Sequence, residues 1–248
     1  MTSAAIIQAR MGSTRLPGKV MKVLRGRTVL GHVITRVRAC PLLDAVIVAT
    51  TMASQDDVIV AESTRWGAGI FRGSETDVLS RYYGAAREAG ADLVVRVTSD
   101  CPLLDPLVLT EMLQQFRRAQ AAGKPLDYLS NTLERTFPRG LDAEIFTFAA
   151  LAQAMRETAQ PYEREHVTPY IYQHPDIFTL ESYCQPENLS HHRWTLDTED
   201  DWRLIQVVYK ALYEEDRLFT TKEVVTLLAA RPDLIAVNAH VGQKELRA

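Results

Sequence analysis

Ala4-Ala-Ile-Ile-Gln8-Ala-Arg10-Met-Gly12-Ser-Thr-Arg15-Leu-Pro-Gly18-Lys-Val20 carries a short apolar run straight into a basic, glycine-containing loop. The apolar part has the composition of a buried strand. In the loop that follows Gln8 and Ala9, Gly12 and Gly18 allow a close backbone approach, and Ser13 and Thr14 can donate hydroxyl hydrogen bonds. Arg10, Arg15 and Lys19 place three positive charges within ten residues. Such a loop suits a polyphosphate. It is neither of two common phosphate loops. The P-loop of NTPases has four residues between its glycines and Ser or Thr after its Lys. Here five residues separate Gly12 from Gly18, Pro17 stands in the place of the second Gly, and Val20 follows Lys19. The G-x-G-x-x-G dinucleotide fingerprint is also missing, since no glycine lies two positions after Gly12. On spacing alone, a solvated basic turn remains the alternative.

Beyond the loop, strands alternate with amphipathic helices. Thr28 is a helix N-cap candidate, with Leu30, Val33, Ile34 and Val37 on one apolar face and Cys40-Pro41 as the stop. Asp44 to Ala49 reads as a buried strand. Ser54 can cap the next helix, Trp66-Gly67 closes it, and Ile70-Phe71 follows as a short strand. A helix is expected from near Thr76 to Gly90, a third strand over Asp92 to Val97, and a helix capped by Asp105 with Pro106 at its first position. This order predicts a mostly parallel sheet covered on both faces. After Lys124-Pro125 the pattern changes. Strands are expected near Leu126 to Ser130, over Ala143 to Phe146, Ile177 to Tyr183 and Arg193 to Leu196, with a helix from Tyr162 to Gln173 interrupted at Pro169. Helices from about Glu199 and Thr221 complete the chain.

The 248 residues are 46% hydrophobic and 24% charged, with a net charge of -3. These values fit one α/β domain over 1–248, with an elaboration at about 131–183. A mildly acidic balance gives no support to nucleic acid as a partner. The three cysteines are odd in number and widely spaced, so they suggest neither a disulfide framework nor a zinc site, and a reducing cytoplasm is the expected home. No apolar run approaches a membrane span, so membrane insertion is not expected.

Two aspartates are candidates for chemistry. Asp100 lies just past the end of a predicted central strand, where open α/β sheets place ligands, and can hold a metal ion or simply satisfy backbone N–H groups in its turn. Asp197 again follows a short strand and precedes a helix. Thr198 is the better N-cap there, and Glu199, Asp200 and Asp201 suit the first turn, which leaves Asp197 over. Two carboxylates brought together match Mg²⁺, which takes one or two of them and completes its octahedron with phosphates and waters. His191 and His192, adjacent in extended chain, point to opposite faces and do not make a metal pair. His166 can contact a substrate, act as a base or serve structurally.

Several ordered motifs together resemble the cytidylyltransferases of the CMP-Kdo and CMP-sialic acid synthetase superfamily, most closely its spore-coat polysaccharide branch. They are Ile7 to Val20, Gly73 to Tyr82, Arg96 to Asp105, Pro138 to Phe146, Arg164 to Tyr170 and Trp194 to Asp201. The resemblance implies a GT-A-like (Rossmann-like) α/β nucleotidyltransferase fold, with a mixed, mostly parallel sheet and helices on both faces. It implies CTP as nucleotide, with Gln8, Ala9, Arg10, Gly12, Ser13, Thr14, Arg15, Lys19 and Ser99 around it, and Arg72, Gly73 and Asp77 near base and ribose. Arg10, Lys19, Asp100 and Asp197 fall in catalytic positions. Asp100 and Asp197 match the family's metal-binding carboxylates for Mg²⁺, and Arg139, Glu144 and His166 fall on the acceptor side. The resemblance further implies transfer of CMP to an anionic small-molecule acceptor and a homodimer built through about 131–183. A GT-A glycosyltransferase is the alternative enzyme, although Asp100-Cys-Pro lacks the second Asp of an Asp-x-Asp motif. A nucleotide-binding module without catalysis is the other alternative.

Overall fold

A computed structural model of the protein describes residues 1–243. Its first half contains β1 (Ser3–Gln8), the short strands β2 (Val23–Leu24) and β3 (Arg27–Thr28), α1 (Val29–Arg38), β4 (Ala45–Thr51), α2 (Asp57–Arg65), β5 (Gly69–Gly73), α3 (Val78–Glu88), β6 (Leu93–Thr98) and α4 (Pro106–Ala121). The second contains β7 (Tyr128–Ser130), β8 (Glu144–Thr147), α5 (Phe148–Glu157), α6 (Pro161–His166), α7 (Pro169–Tyr172), β9 (Leu180–Ser182), α8 (Glu199–Leu212), α9 (Thr221–Ala230) and α10 (Asp233–Ala236).

Seven strands form one sheet in the order β5-β4-β1-β6-β8-β7-β9, and β2 pairs with β3 as a separate hairpin. β5, β4, β1 and β6 are parallel. β8 enters antiparallel between β6 and β7, while β9 runs parallel to β7. The sheet is therefore mixed and mostly parallel, as expected. The chain winds outward from β1 through β4 and β5, then returns to the other side of β1 as β6. Gln8 is in register with Ala49 and with Thr98, so the carboxyl ends of β1, β4 and β6 share one edge at the topological switch point.

The period-2 alternation of β1 divides its residues between two cores. Ala5 and Ile7 join α1, α4, α8 and α9 on one face. Ala4 and Ile6 join α3, α5 and Ile171 on the other. The Tyr82 hydroxyl, fully buried, donates to the carbonyls of Ile6 and Val97 and ties α3 beneath the switch point. Cys40 and Cys101 are buried and Cys184 is exposed, all as free thiols. Among the described residues no helix is long and apolar enough to cross a membrane.

Thr28 caps α1, Asp105 caps α4 and Thr198 caps α8 through their side chains, as their positions suggest. Four local expectations change. Ser54 does not cap α2 but opens a 3-10 turn, because buried Asp56 at the turn's end faces the opening loop instead. α3 starts at Val78, later than Thr76, with the Asp77 carboxylate capping it. Arg193 to Leu196 is not a strand: among the described residues its β-pairing is limited to an isolated bridge from Arg193 to Arg139. The β2–β3 hairpin was not foreseen, since Arg25 takes a positive φ of 50° beside Gly26, a turn position usually given to Asn, Asp or Gly.

Candidate active site

The opening loop is held from both sides. Ala9 N donates to Ala49 O at 3.2 Å, Met11 N donates to Asp56 Oδ1 at 2.8 Å, and Leu16 and Val20 bury their side chains in the core. Gly18 turns the chain at φ 64°, a left-handed conformation that favours glycine, and leads into the 3-10 turn Lys19–Met21. Anchored in this way, the loop curls over the carboxyl edge of β1 and presents Lys19 inward.

Asp100 follows β6 and Asp197 precedes α8, and backbone bonds bring the two segments together. Leu196 N donates to Asp100 O at 2.9 Å, and Trp194 N donates to Arg139 O at 2.6 Å. Gly140, at φ 103°, lets the Arg139 segment pass so close that a Cβ there would lie 2.5 Å from Thr195 N. The outcome is that one ammonium touches both carboxylates: Lys19 Nζ is 2.6 Å from Asp100 Oδ2 and 2.8 Å from Asp197 Oδ1. The other oxygen of Asp197 accepts from Arg193 at 2.8 Å and faces Arg15 at 3.1 Å. Arg193 is fixed in turn by buried Asp201, whose carboxylate also takes the Asp197 and Thr198 backbone N–H groups. Burial pulls the Lys19 ammonium down, but Asp100 and Asp197 outweigh it and raise its pKa. Burial likewise opposes ionisation of Asp100, and Lys19 more than compensates, holding the carboxyl below its usual range.

Two cavities meet at this cluster. The smaller, about 330 Å³, is lined by Gln8, Ala9, Arg10, Gly12, Ser13, Thr14, Arg15, Lys19 and Ser99 of the expected nucleotide set. Arg81, which sequence reasoning missed, also lines it. Its guanidinium is buried against the carbonyls of Ser74 and Glu75, and its Nε has no partner among the described residues. The side-chain oxygen of Gln8 is likewise buried without a partner there. Arg72, Gly73 and Asp77 line neither cavity. Arg72 is committed to the carbonyls of Thr51 and Ala53 and to Asp57; Gly73 packs under Arg81; Asp77 caps α3 and pairs with Arg164 at 2.8 Å.

The larger cavity, about 880 Å³, shares Gln8, Arg15, Asp100, Glu165, His166 and Asp197 with the smaller and adds Arg139 and Glu144. Buried Glu144 accepts from Arg96, from Tyr128 and, at 2.6 Å, from Thr168, so its carboxylate is fully engaged. His166 sits at the junction of the cavities, ahead of Val167, a buried β-branched residue at φ 74° in a tight turn closed by Thr168 N and His166 O. That strained conformation, rare for valine, fixes where α6 ends and His166 projects. The arginines of this cavity differ sharply in their partners. Arg96 pairs with Glu144, and Arg135 grips Asp142 with two bonds of 2.7 and 3.0 Å. The half-buried Arg139 guanidinium makes no hydrogen bond or ion pair among the described residues. Burial, with Arg135 beside it, lowers its pKa. Of the residues missed, Arg96 had a signal, a charge inside the otherwise apolar Leu93-Val-Val-Arg-Val97, whereas Arg81 on an amphipathic helix had none.

The site thus combines a cationic loop, two converging carboxylates and an adjoining cavity with a cation that has no ion pair among the described residues. Comparison with known families matches residues 4–224 to a cytidylyltransferase family. The spore coat polysaccharide biosynthesis protein SpsF of Bacillus subtilis is 32% identical over 235 residues, which cover 92% of this chain and 94% of that protein. A cytidylyltransferase structure from Leptospira borgpetersenii is 32% identical and superposes with a TM-score of 0.90, covering 99% of this chain and 100% of the other. A CMP:2-keto-3-deoxy-manno-octonic acid synthetase complexed with CTP shares the fold at 16% identity and TM-score 0.64, over 85% of this chain and 99% of that one. With the family match spanning nearly the whole described chain, the protein belongs to the cytidylyltransferase family and is a CTP-dependent nucleotidyltransferase.

Proposed function

We propose that the enzyme transfers CMP from CTP to an anionic small molecule, a sugar acid or a phosphate- or phosphonate-bearing acceptor, with release of pyrophosphate. The observation that carries this reading is the meeting of Asp100 and Asp197 at Lys19, on the seam between a cavity lined by Arg10, Arg15 and Lys19 and one lined by Arg139. The triphosphate belongs with the first three cations. The acceptor belongs in the second cavity, where the Arg139 guanidinium, without an ion pair among the described residues, favours a negatively charged group.

In this reading an acceptor oxygen attacks the α-phosphorus in line, a new P–O bond forms, and the bond to the bridging oxygen breaks as pyrophosphate leaves. Charge gathers on the α-phosphate and the leaving group. Arg10, Arg15 and Lys19 neutralise it, so positioning and electrostatics do most of the catalysis. Asp100 and Asp197 fit a divalent cation, because oxygens of both already contact one nitrogen within 2.8 Å and two carboxylates are what Mg²⁺ usually takes. Bound there, Mg²⁺ would supply Lewis-acid polarisation of phosphoryl oxygens. An acceptor hydroxyl needs a proton acceptor, for which Glu165 and His166 border both cavities; an ionised phosphate or phosphonate needs none.

Pyrophosphate release from CTP across a panel of sugar acids and phosphorylated acceptors tests the proposal, with Asp100→Asn as control. Undiminished turnover in that variant would remove Asp100 from the metal site, and equal use of purine triphosphates would sink the assignment of the base. We extend the reading to a single nucleotidyltransferase domain that dimerises through about 131–183, which a monomer in light scattering would contradict.

A further inference from the structure

Asp197 is crowded by cations. Lys19 holds Oδ1, while Arg15 and Arg193 face Oδ2, and Lys19 reaches across to Asp100 Oδ2 as well. The cations differ in how firmly they are tied. Arg193 is bound to Asp201 at 2.9 Å through Nε and contacts Gln243, so it is part of the frame. Lys19 and Arg15 belong to the opening loop, and Arg15 is 40% exposed. A divalent cation using Asp100 and Asp197 and the Lys19 ammonium compete for the same two carboxylates. Two cations cannot share them at close range, because like charges so near one another repel strongly even at a protein-like dielectric. A triphosphate in the smaller cavity offers Lys19 and Arg15 a stronger set of anionic oxygens.

We propose that Lys19 is a built-in counter-cation that bridges the two aspartates until the triphosphate draws it away, so that the site takes up a divalent cation only with or after the nucleotide. This rests on the reading of Asp100 and Asp197 as the metal carboxylates. Lys19 then has two successive partners: it holds the carboxylates together before the nucleotide arrives and neutralises phosphate afterwards. The arrangement imposes a binding order, because a cation arriving first meets an ammonium already seated between its ligands.

Mn²⁺ binding in the absence of nucleotide, followed by electron paramagnetic resonance of the free ion, tests the proposal without reference to turnover. Lys19→Met is expected to bind Mn²⁺ about tenfold or more tightly than the unmodified enzyme. Lys22→Met removes the same charge from a neighbouring lysine that pairs with Glu199 instead, and is expected to change affinity by less than about twofold. The double variant Lys19→Met/Asp100→Asn is expected to lose the gain. Melting curves at increasing Mn²⁺ provide a second readout if Lys19→Met is less stable, since its melting temperature should rise with Mn²⁺ more steeply than that of the unmodified enzyme. Equal affinity in the unmodified enzyme and Lys19→Met, or an equal gain in Lys22→Met, overturns the counter-cation role alone. Absence of Mn²⁺ binding in every variant, including in the melting curves, overturns the metal reading and the proposal with it.

Discussion

Replacing Gly140 by alanine probes how the segments carrying Asp100 and Asp197 are joined. Gly140 has φ 103°, and a Cβ built on it would lie 2.5 Å from Thr195 N, 2.5 Å from Trp194 C and 2.7 Å from Trp194 O. All three are backbone atoms, so no side chain can rotate out of the way. The unfavourable φ costs about 1–2 kcal/mol for an L-residue. Overpacking a close contact adds about 1–3 kcal/mol, for a total destabilisation of about 2–5 kcal/mol. Gly90 separates the two contributions, because its φ is 59° but nothing lies within 4 Å of its Cβ position. Gly90→Ala should therefore lose only about 1–2 kcal/mol.

Urea unfolding measures both variants, with the midpoint falling and the slope unchanged if each acts on the folded state. Activity adds a second measurement. Relief of the Gly140 contact pushes residues 194–195 away, and Leu196 N, bonded to Asp100 O, moves with them, so Asp197 shifts relative to Asp100. A misplacement of about 1 Å at a reacting centre lowers the rate by about 10²-fold. Gly140→Ala is thus expected to be both the less stable variant and the nearly inactive one, with Gly90→Ala retaining turnover. Equal destabilisation of the two, or full activity in Gly140→Ala, would refute the view that this crossing sets the distance between the aspartates.

Glu144→Ala strands the partly buried Arg96 guanidinium and removes a buried acceptor from Tyr128 and Thr168; a loss of about 3 kcal/mol in urea unfolding is expected. Arg139→Ala removes a cation that has no ion pair to lose among the described residues, so its melting temperature should stay within about 2 °C of the original while KM for the acceptor rises about 10- to 100-fold and KM for CTP does not. His32 is buried against Tyr209 and Tyr213, donates Nε2–H to Leu24 O, and has its pKa lowered to about 4, chiefly by burial. The unfolded chain takes up that proton near pH 6.5, before the folded one does. The stability this buried neutral ring contributes is therefore complete above about pH 6.5 and is lost as pH falls towards about 4, by up to roughly 3 kcal/mol. His32→Gln should flatten the difference in unfolding free energy between pH 7 and pH 4.5; an unchanged pH dependence would exclude His32 as its source.

What the sequence revealed and what it hid divide along a physical line. The parallel half of the sheet was legible because each strand of Ala4 to Ile7, Asp44 to Ala49 and Asp92 to Val97 is an apolar run bounded by its own caps and stops. These are local signals, and Thr28, Asp105 and Thr198 cap the helices their neighbours predict. Position singles out Asp100 and Asp197, each at an expected strand-to-helix turn, although the segment before Asp197 forms no strand among the described residues. Pairings between distant residues were hidden. Nothing near Met11 indicates that its N–H meets Asp56, and nothing in Arg193-Trp-Thr-Leu196 shows that a strand-like composition will form an isolated bridge in place of a strand.

The arginines show most clearly why a basic residue in a motif does not specify a ligand contact. Arg72, which the resemblance puts near base and ribose, already has its guanidinium on two carbonyls and Asp57. Arg96, Arg135 and Arg139 border one cavity, and only the fold shows that Glu144 and Asp142 neutralise the first two. A charge already balanced by a close carboxylate has little attraction left for an incoming anion. One that is half-buried beside another cation, with Asp142 only partly offsetting burial and Arg135, is held in an unfavourable state that an anionic ligand relieves. The anion selectivity inferred for the acceptor cavity therefore depends on the pairing pattern of its arginines rather than on their number, and the fold sets that pattern through contacts between residues far apart in sequence.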